Sequence, residues 1–343
     1  MVALPPHLSS APSGLARLDH HGVLRASGAD AASFLHSQLS NDVSQLGAGQ
    51  ARLAAWCNAQ GRMLASFVLT AAPAGAEAPE FWLACRADLI PATQKRLAMF
   101  ILRAKARLVD GSAELAVLGL AGAAAQAWVT AQSPAGLGPA AWSAADAAGG
   151  RLVRLPDAAL SGAAGSPALP RWLWMGPQAA AEALTAQLPA LPLSRWDALE
   201  ISAGVVPVQA ATATAFVPQM LNYELVGGVD FRKGCYPGQE VVARSQYLGK
   251  LKRRAAAFVV DATGGSPAQA GQEVWWSGDS DQPAGLVAQA AEDGGRAWLL
   301  AEMKLAALKA GDLRLGHAQG PLLQRVALPY ALPQEGEAGA AQA

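Results

Sequence analysis

The chain has 343 residues, 26 basic and 26 acidic side chains, 15% charged and 52% hydrophobic residues, and three cysteines. At roughly 100 to 200 residues per domain, this length predicts two or three compact units and excludes a lone helical bundle or small module. Zero net charge argues against coating of nucleic acid or a membrane surface by bulk electrostatics, so any anion-binding region is local.

Residues 1–14 and 331–343 are rich in Pro, Ser, Ala, Gly, Gln and Glu and read as a frayed N-terminus and a disordered tail. The start MVALPPHLSSAPSG has no basic segment followed by an apolar run, so neither a secretory signal nor a transit peptide is expected. A strand is predicted within Leu15 to Leu24. Asp30 then reads as the cap of a helix over AASFLHSQL, with Ala31, Phe34, Leu35 and Leu39 on one face. ARLAAWC and RMLASFVL, joined by Asn58-Ala59-Gln60-Gly61, predict a hairpin, and FWLAC a third strand. From Asp88 to about Lys105 a long helix is predicted, with Pro91 in its first turn.

LAVLGL, a helix over Ala121 to Ala131, RLVRL, RWLWMG and a helix over Ala179 to Leu188 continue the alternation. The stretch Leu115 to Ala131 is the longest apolar one, but Gly119, Gly122, Gln126 and Thr130 interrupt it, which argues against a membrane span. From Arg253 onward short strands are divided by Gly, Asp and Pro, with a hairpin signal at Glu292-Asp293-Gly294-Gly295. The expected class is α+β: a body over 15–248, a boundary near 248–252, and a small antiparallel β-barrel over 249–330.

Cys57, Cys85 and Cys235 are too far apart for a CxxC-type site, and an odd number cannot close into a disulfide framework, which suggests a reducing, cytoplasmic setting. Cys235 stands out. It follows Arg232 and Lys233 and precedes a predicted helix from about Pro237 or Gln239 to Arg244, so two cations and a helix N-terminus favour thiolate over thiol. The plainer alternative is a small apolar residue filling a tight turn. From Arg232 to Arg254 seven cations, Lys250 and Lys252 among them, face one acid, Glu240, and a folate glutamate tail, an RNA phosphate or an acidic protein would each suit such a patch. An ordinary i,i+4 pair between Glu240 and Arg244 at a solvated domain junction is the alternative.

Lys233-Gly234-Cys235-Tyr236-Pro237-Gly238-Gln239-Glu240, with Arg244 after it, resembles the KGCYxGQE pattern of the YgfZ-type folate-binding proteins. These are relatives of a mitochondrial iron–sulfur assembly factor and, more distantly, of the glycine-cleavage T-protein. FVPQMLN, GGVDF, GADAASFLHSQLSNDV and WCNAQGRMLASF extend the resemblance over most of residues 15 to 330, whereas 132–170 contributes nothing recognisable. The resemblance implies a ring of three domains, two of them intertwined within 15–248, around a central folate channel. It implies tetrahydrofolate or a derivative as cofactor, and a transient iron–sulfur cluster shared with a client or carrier protein. A link to tRNA through such clients follows, with neither stable DNA binding nor a membrane.

Carried over by residue, Cys235 would be the reactive thiol with Lys233 and Arg232 beside it. Trp196 would line the cavity and stack on a pterin or p-aminobenzoyl ring, or else be a core tryptophan. Asn222, Tyr236, Gln239, Glu240 and Arg244 would complete the folate-binding set. Two departures from the T-protein pattern matter. Where that protein carries an Asp pair, this chain reads Leu64-Ala65-Ser66-Phe67, which removes the carboxylate that would direct a proton during aminomethyl transfer. Ser202 stands where relatives often carry a Glu, and Glu200 lies roughly 200° away around the helix.

His7, His20, His21, His36 and His317 are scattered, and there is no HExxH, P-loop or GxGxxG, so metal hydrolysis, nucleotide hydrolysis and dinucleotide binding lack support. The expected function is a tetrahydrofolate-binding auxiliary protein for iron–sulfur enzymes. A T-protein-type aminomethyltransferase and a folate-binding module with an inert cysteine are the alternatives.

Overall fold

The computed structural model describes residues 12–73, 79–132, 137–159, 168–247, 251–261, 267–279 and 281–333. The expectations for residues 1–11, for 248–250 with Lys250, and for 334–343 lie outside them. In chain order the first half contains β1 (Gly14–Arg17), β2 (His21–Ser27), α1 (Ala31–Gln38), β3 (Ala51–Cys57), β4 (Met63–Ala71), β5 (Glu80–Arg86), α2 (Ile90–Ala98), β6 (Arg107–Asp110), β7 (Leu115–Ala121) and α3 (Gly122–Gln132). Next come β8 (Ala144–Ala147), β9 (Gly150–Ala159), β10 (Ala168–Pro177), α4 (Gln178–Thr185), α5 (Leu193–Ala203) and α6 (Gln239–Tyr247). The last part holds β11 (Arg253–Asp261), β12 (Glu273–Trp276), β13 (Gly285–Asp293), β14 (Arg296–Lys304), α7 (Leu305–Ala310), β15 (Leu313–Leu315) and β16 (Gln324–Val326).

The strands form three antiparallel sheets, ordered β3-β4-β5-β2-β6, β1-β7-β10-β9-β8 and β15-β12-β13-β14-β11-β16. The α+β class is as expected from sequence. No ladder joins the end strands β15 and β16 of the third sheet among the described residues. Gly294 and Gly295 form the two-residue turn between β13 and β14, both at positive φ, as the hairpin signal required.

Three local expectations change. The strand predicted within Leu15–Leu24 is two strands in two sheets, because the chain turns at Leu18 and β1 pairs with β7 while β2 pairs with β5 and β6. Asp30 does not cap α1 with its side chain; its Oδ2 accepts the Lys105 N–H at 2.7 Å and so ties down a distant loop. The long helix predicted to Lys105 stops at Ala98. Past that point Met99, Phe100 and Leu102 face solvent, so no buried stripe continues to support helix.

One buried cluster joins α1, α2 and the first sheet to the start of the third, with Phe34, Leu35, Trp56, Leu97 and Phe216 among its members. A second lies between the first and second sheets around Trp196 of α5, which also packs on β9, β13 and β14. Helix α5 therefore touches two sheets and reaches the second-to-first interface.

Candidate functional site

A narrow cavity lies between the first two sheets and α5. Ser66, Phe67 and Val68 of β4, Leu155 and Pro156 of β9, Arg171 and Leu173 of β10, Glu200 of α5, Tyr223 and Trp142 all contribute to its wall. About 50 Å³ of it is open to the centre of a water-sized sphere. It shares Trp142, Leu155 and Pro156 with a wider bay of about 570 Å³ on the same measure, rimmed by Arg154, Asp157, Val226 and Tyr330.

The cavity's charged groups are buried. Arg171 is 1% exposed, and burial pulls its guanidinium down to about pKa 10, with Glu200 opposing that fall. Its Nε and Nη2 donate to the Pro156 carbonyl at 3.2 and 3.1 Å, while Nη1 has no partner among the described residues. An unsatisfied buried N–H costs roughly 1–3 kcal/mol, more on a charged group, so Nη1 is a donor waiting for an acceptor. Glu200 is also buried, and burial followed by the neighbouring Asp197 carboxylate raises its pKa. Gln289 donates to its Oε2 at 3.0 Å. His21, on the same wall, is held well below the usual histidine range by burial and by the neighbouring His20 and Arg86.

Trp196 occupies a different place from that expected. It is wholly buried and absent from this wall; the guanidinium of Arg171, which does line the cavity, lies 5.3 Å from its ring centroid. On its other side a Cβ at Gly119 would stand 2.5 Å from the indole, which is why LAVLGL needs a glycine there. The wall's tryptophan is Trp142, inside the segment that resembled nothing. Its φ of 68° is unusual for a bulky residue. It is held there because its N–H donates to the Arg154 carbonyl, its carbonyl accepts from Ala51 N–H, and its indole N–H donates to the Val226 carbonyl, at 2.7, 2.7 and 2.8 Å.

The expectation that Glu200 points away is also corrected. Position 200 is the one that meets the cavity, while Ser202 is buried and its hydroxyl donates to the Leu199 carbonyl. Ser66 does stand on the wall, where its Oγ accepts the Val208 N–H at 2.9 Å, and Ala65 sits in the core on the other face. His20, Asp197 and Glu200 bring three potential ligand atoms within 4.8 Å. His20 and Asp197 are already hydrogen-bonded at 3.0 Å, and the raised pKa of Glu200 disfavours the carboxylate an ion would need.

The motif loop lies elsewhere. None of Asn222, Arg232, Lys233, Cys235, Tyr236, Gln239, Glu240 or Arg244 lines the cavity or the bay. Cys235 is exposed, whereas Cys57 and Cys85 are buried, the first pushed up to about pKa 12 and the second higher still by burial. Lys233 is pinned across the C-terminus of α1, donating to the His36 and Leu39 carbonyls at 2.5 and 2.9 Å. Cations suit that end of a helix. Burial pulls its pKa down to about 8 against the opposing charges of Asp42, Asp230 and Cys235. Its ammonium also lies 4.7 Å from the centroid of the buried Tyr236 ring.

Gln239 opens α6 and accepts the Tyr236 N–H through its side chain. Glu240 and Arg244 sit in the first and last turns of α6, exposed, with no ion pair joining them. The Arg232 N–H donates to Asp230 at 2.8 Å, and the Arg232 side chain is exposed.

Gly238 is at φ 79°, and a Cβ there would press into the Asn58 carbonyl and stand 2.7 Å from Gly61 Cα. The predicted turn Asn58–Gly61 is thus the bed on which the motif loop lies. Gly238→Ala is expected to lower the unfolding free energy by about 1–3 kcal/mol. A denaturation midpoint equal to that of wild type would show that the bed yields.

The basic count over Arg232–Arg254 shrinks on folding. Arg253 pairs with Glu302 at 2.7 Å and Arg254 with Glu224 at 2.6 Å, acids that lie outside that segment. Asn222, at φ 59° and wholly buried, donates to the Ala255 carbonyl and to Tyr330 and accepts from Arg254. It fastens the body to the third sheet.

No family model matches the chain. It is 32% identical over 255 residues, 71% of its own length and 70% of the relative's, to the tRNA-modifying protein YgfZ of Edwardsiella ictaluri. To the protein of the same name from Photorhabdus laumondii it is 29% identical over 344 residues, 96% of each. Among solved structures it resembles the glycine cleavage system aminomethyltransferase T of Bartonella henselae, with a TM-score of 0.67 at 18% identity, covering 95% of this chain and 88% of that one; this likeness is one of fold. Motif, fold and relatives converge: the chain belongs to the YgfZ family.

Proposed function

We propose that this protein binds tetrahydrofolate or a derivative in the cavity and supports assembly or repair of iron–sulfur enzymes, including ones that modify tRNA, through Cys235. The observation that carries the reading is the separation of two features. A buried cavity holds an unmet cationic donor, Arg171 Nη1, and no thiol, while one exposed thiol stands outside it. Trp142 offers a flat apolar surface, Arg171 a donor to a ring carbonyl, and Glu200 a carboxyl whose pKa is raised by burial. The inner space admits little more than the edge of a ring, so the remainder of a folate would extend into the bay. Two sheets and α5 enclose this channel, and α5 also packs on β13 and β14 of the third sheet, which supports a ring of domains divided near 248–252.

An iron–sulfur cluster bound by this chain alone does not fit. Cys57 and Cys85 are buried thiols, and one exposed cysteine is too few ligands. Any cluster at Cys235 would be shared with a partner. Aminomethyl transfer is disfavoured because the wall at Ser66 lacks a carboxylate.

Titration with tetrahydrofolate is expected to change tryptophan fluorescence in wild type, with much of the change lost in Trp142→Phe; no fluorescence change and no heat of binding would remove folate. Cys235→Ala is expected to keep the folate affinity and lose support of iron–sulfur enzymes in cells. Full complementation by that variant would leave the cysteine inert. Formation of methylene-tetrahydrofolate from an aminomethyl donor would restore the transferase reading.

A further inference from the structure

The segment that leaves α2 forms a surface that the cavity and the motif do not explain. Leu102 is 87% exposed, Met99 63% and Phe100 48%, three of the largest apolar exposures on the described surface. From Leu89 to Val109 the chain has five cations, Lys95, Arg96, Arg103, Lys105 and Arg107, and no acid. All five are exposed, and among the described residues none has an ion-pair partner. Exposed apolar side chains that cluster within a charged rim mark an interaction site. Met, Phe and Arg are enriched in the buried centres of protein interfaces.

The patch and the motif loop are fastened to opposite ends of one helix, α1. The loop Ile101–Ala106 is fastened to the N-terminal end of α1, where Asp30 exchanges hydrogen bonds with Lys105 through its N–H and its carboxylate. Lys233 is fastened to the C-terminal end of the same helix. Helix α1 has eight residues, about 12 Å at 1.5 Å per residue. Between the two ends, Arg96 lies over the Trp56 ring at 5.9 Å, and Trp56 bridges to Leu39, whose carbonyl Lys233 grips. A protein interface of ordinary size covers about 800 Å² on each partner, which is broad enough to take in the patch and Cys235 together.

We infer that Met99, Phe100 and Leu102, with their basic rim, are the docking surface for an acidic protein partner that presents an apolar cleft to this loop and is thereby brought to Cys235. Charge complementarity fixes the partner's sign, since five unpaired cations in a neutral chain call for acids opposite them. The aliphatic side chains fix its class. Nucleic acid takes an apolar wedge only where base steps unstack, and its phosphate contacts would use only the rim, so three neighbouring apolar side chains favour a protein cleft. The clause about Cys235 rests on the proposed role of that thiol; the docking surface itself does not.

The test places benzoylphenylalanine at Leu102, and separately at Phe100, in the full chain, and irradiates cells in which it is the only copy. The cross-linked peptide is then sequenced by mass spectrometry. The expected product is a single protein whose cross-linked segment is acidic and apolar, with its yield falling at least tenfold in Lys95→Glu/Arg103→Glu/Lys105→Glu. These positions are exposed, so an unchanged melting temperature certifies the variant's fold. Cross-links to RNA or lipid, no cross-link at either position, or a yield indifferent to charge reversal would each overturn the inference. In a Cys235→Ala background the cross-link is expected to persist. If it persists and that variant also complements fully, the thiol reading fails while the docking surface stands.

Discussion

Arg254→Ala is expected to lower the unfolding free energy by about 3–5 kcal/mol. Arg254 and Glu224 are each about 4% exposed at the side chain and paired at 2.6 Å, so removing the cation leaves a buried carboxyl group without its partner. Glu224 already has a pKa raised by burial, with Arg254 as the main opposing influence, and its second oxygen has no hydrogen-bond partner. Without Arg254 it would take up a proton, and Asn222 would lose the donor that faces its side-chain oxygen. The residue fastening the body to the third sheet is therefore weakened at the same time. Guanidinium titration measures the loss. Arg254→Met/Glu224→Leu should recover most of it, because an apolar pair of similar volume carries no desolvation penalty. A single variant as stable as wild type, or a double variant no better than the single, would show that the pair does not hold the junction.

The second large effect has opposite signs for stability and binding. Arg171→Met replaces a buried cation, one of whose N–H groups is unsatisfied, with a flexible apolar side chain that can lie on the Trp196 ring. Its two hydrogen bonds to the Pro156 carbonyl are lost, but so is the cost of burying the charge. The ligand-free protein is expected to unfold within about 1 kcal/mol of wild type or at higher denaturant. Tetrahydrofolate affinity is expected to fall by about 30-fold or more, the effect of removing a buried charged hydrogen bond of at least 2 kcal/mol. Calorimetry and a denaturation curve on the same preparation check both. A variant that unfolds far more easily would make Arg171 a structural cation, and unchanged affinity would place the ligand's polar edge elsewhere.

The features legible in the sequence were those written in short-range chemistry. The turn Asn58–Gly61, the helix after Gly238 and the turn at Gly294-Gly295 each depend on residues adjacent in the chain, and each is where it was expected. The motif marked the thiol, but it could not show that its loop faces outward, because that follows from Gly238 meeting Gly61 across about 180 positions. Trp142 and Arg171 were missed for a related reason. Trp142 lies in a stretch without periodicity, and its position is set by bonds to Ala51, Arg154 and Val226.

Arg171 did leave a trace: an arginine inside the apolar run ALPRWLWMG, where a buried strand would not hold a cation without a task. Analogy of position sets Trp196 on the cavity wall, whereas its ring lies in the buried core beside Arg171. The basic cluster was overcounted because Glu224 and Glu302, which neutralise two of its members, come from other parts of the chain.

The hairpin β3–β4 carries the cavity wall at Ser66–Val68 and the bed of the motif loop at Asn58–Gly61 on a single piece of sheet. Strand β4 pairs with β3 from Met63 to Thr70 and with β5 from Val68 to Ala71, so one ladder links the two places. Such a strut would transmit an occupant's presence as added rigidity. If folate binds there as proposed, it would still the platform under Cys235, raising the loop's protection from hydrogen exchange without relocating it.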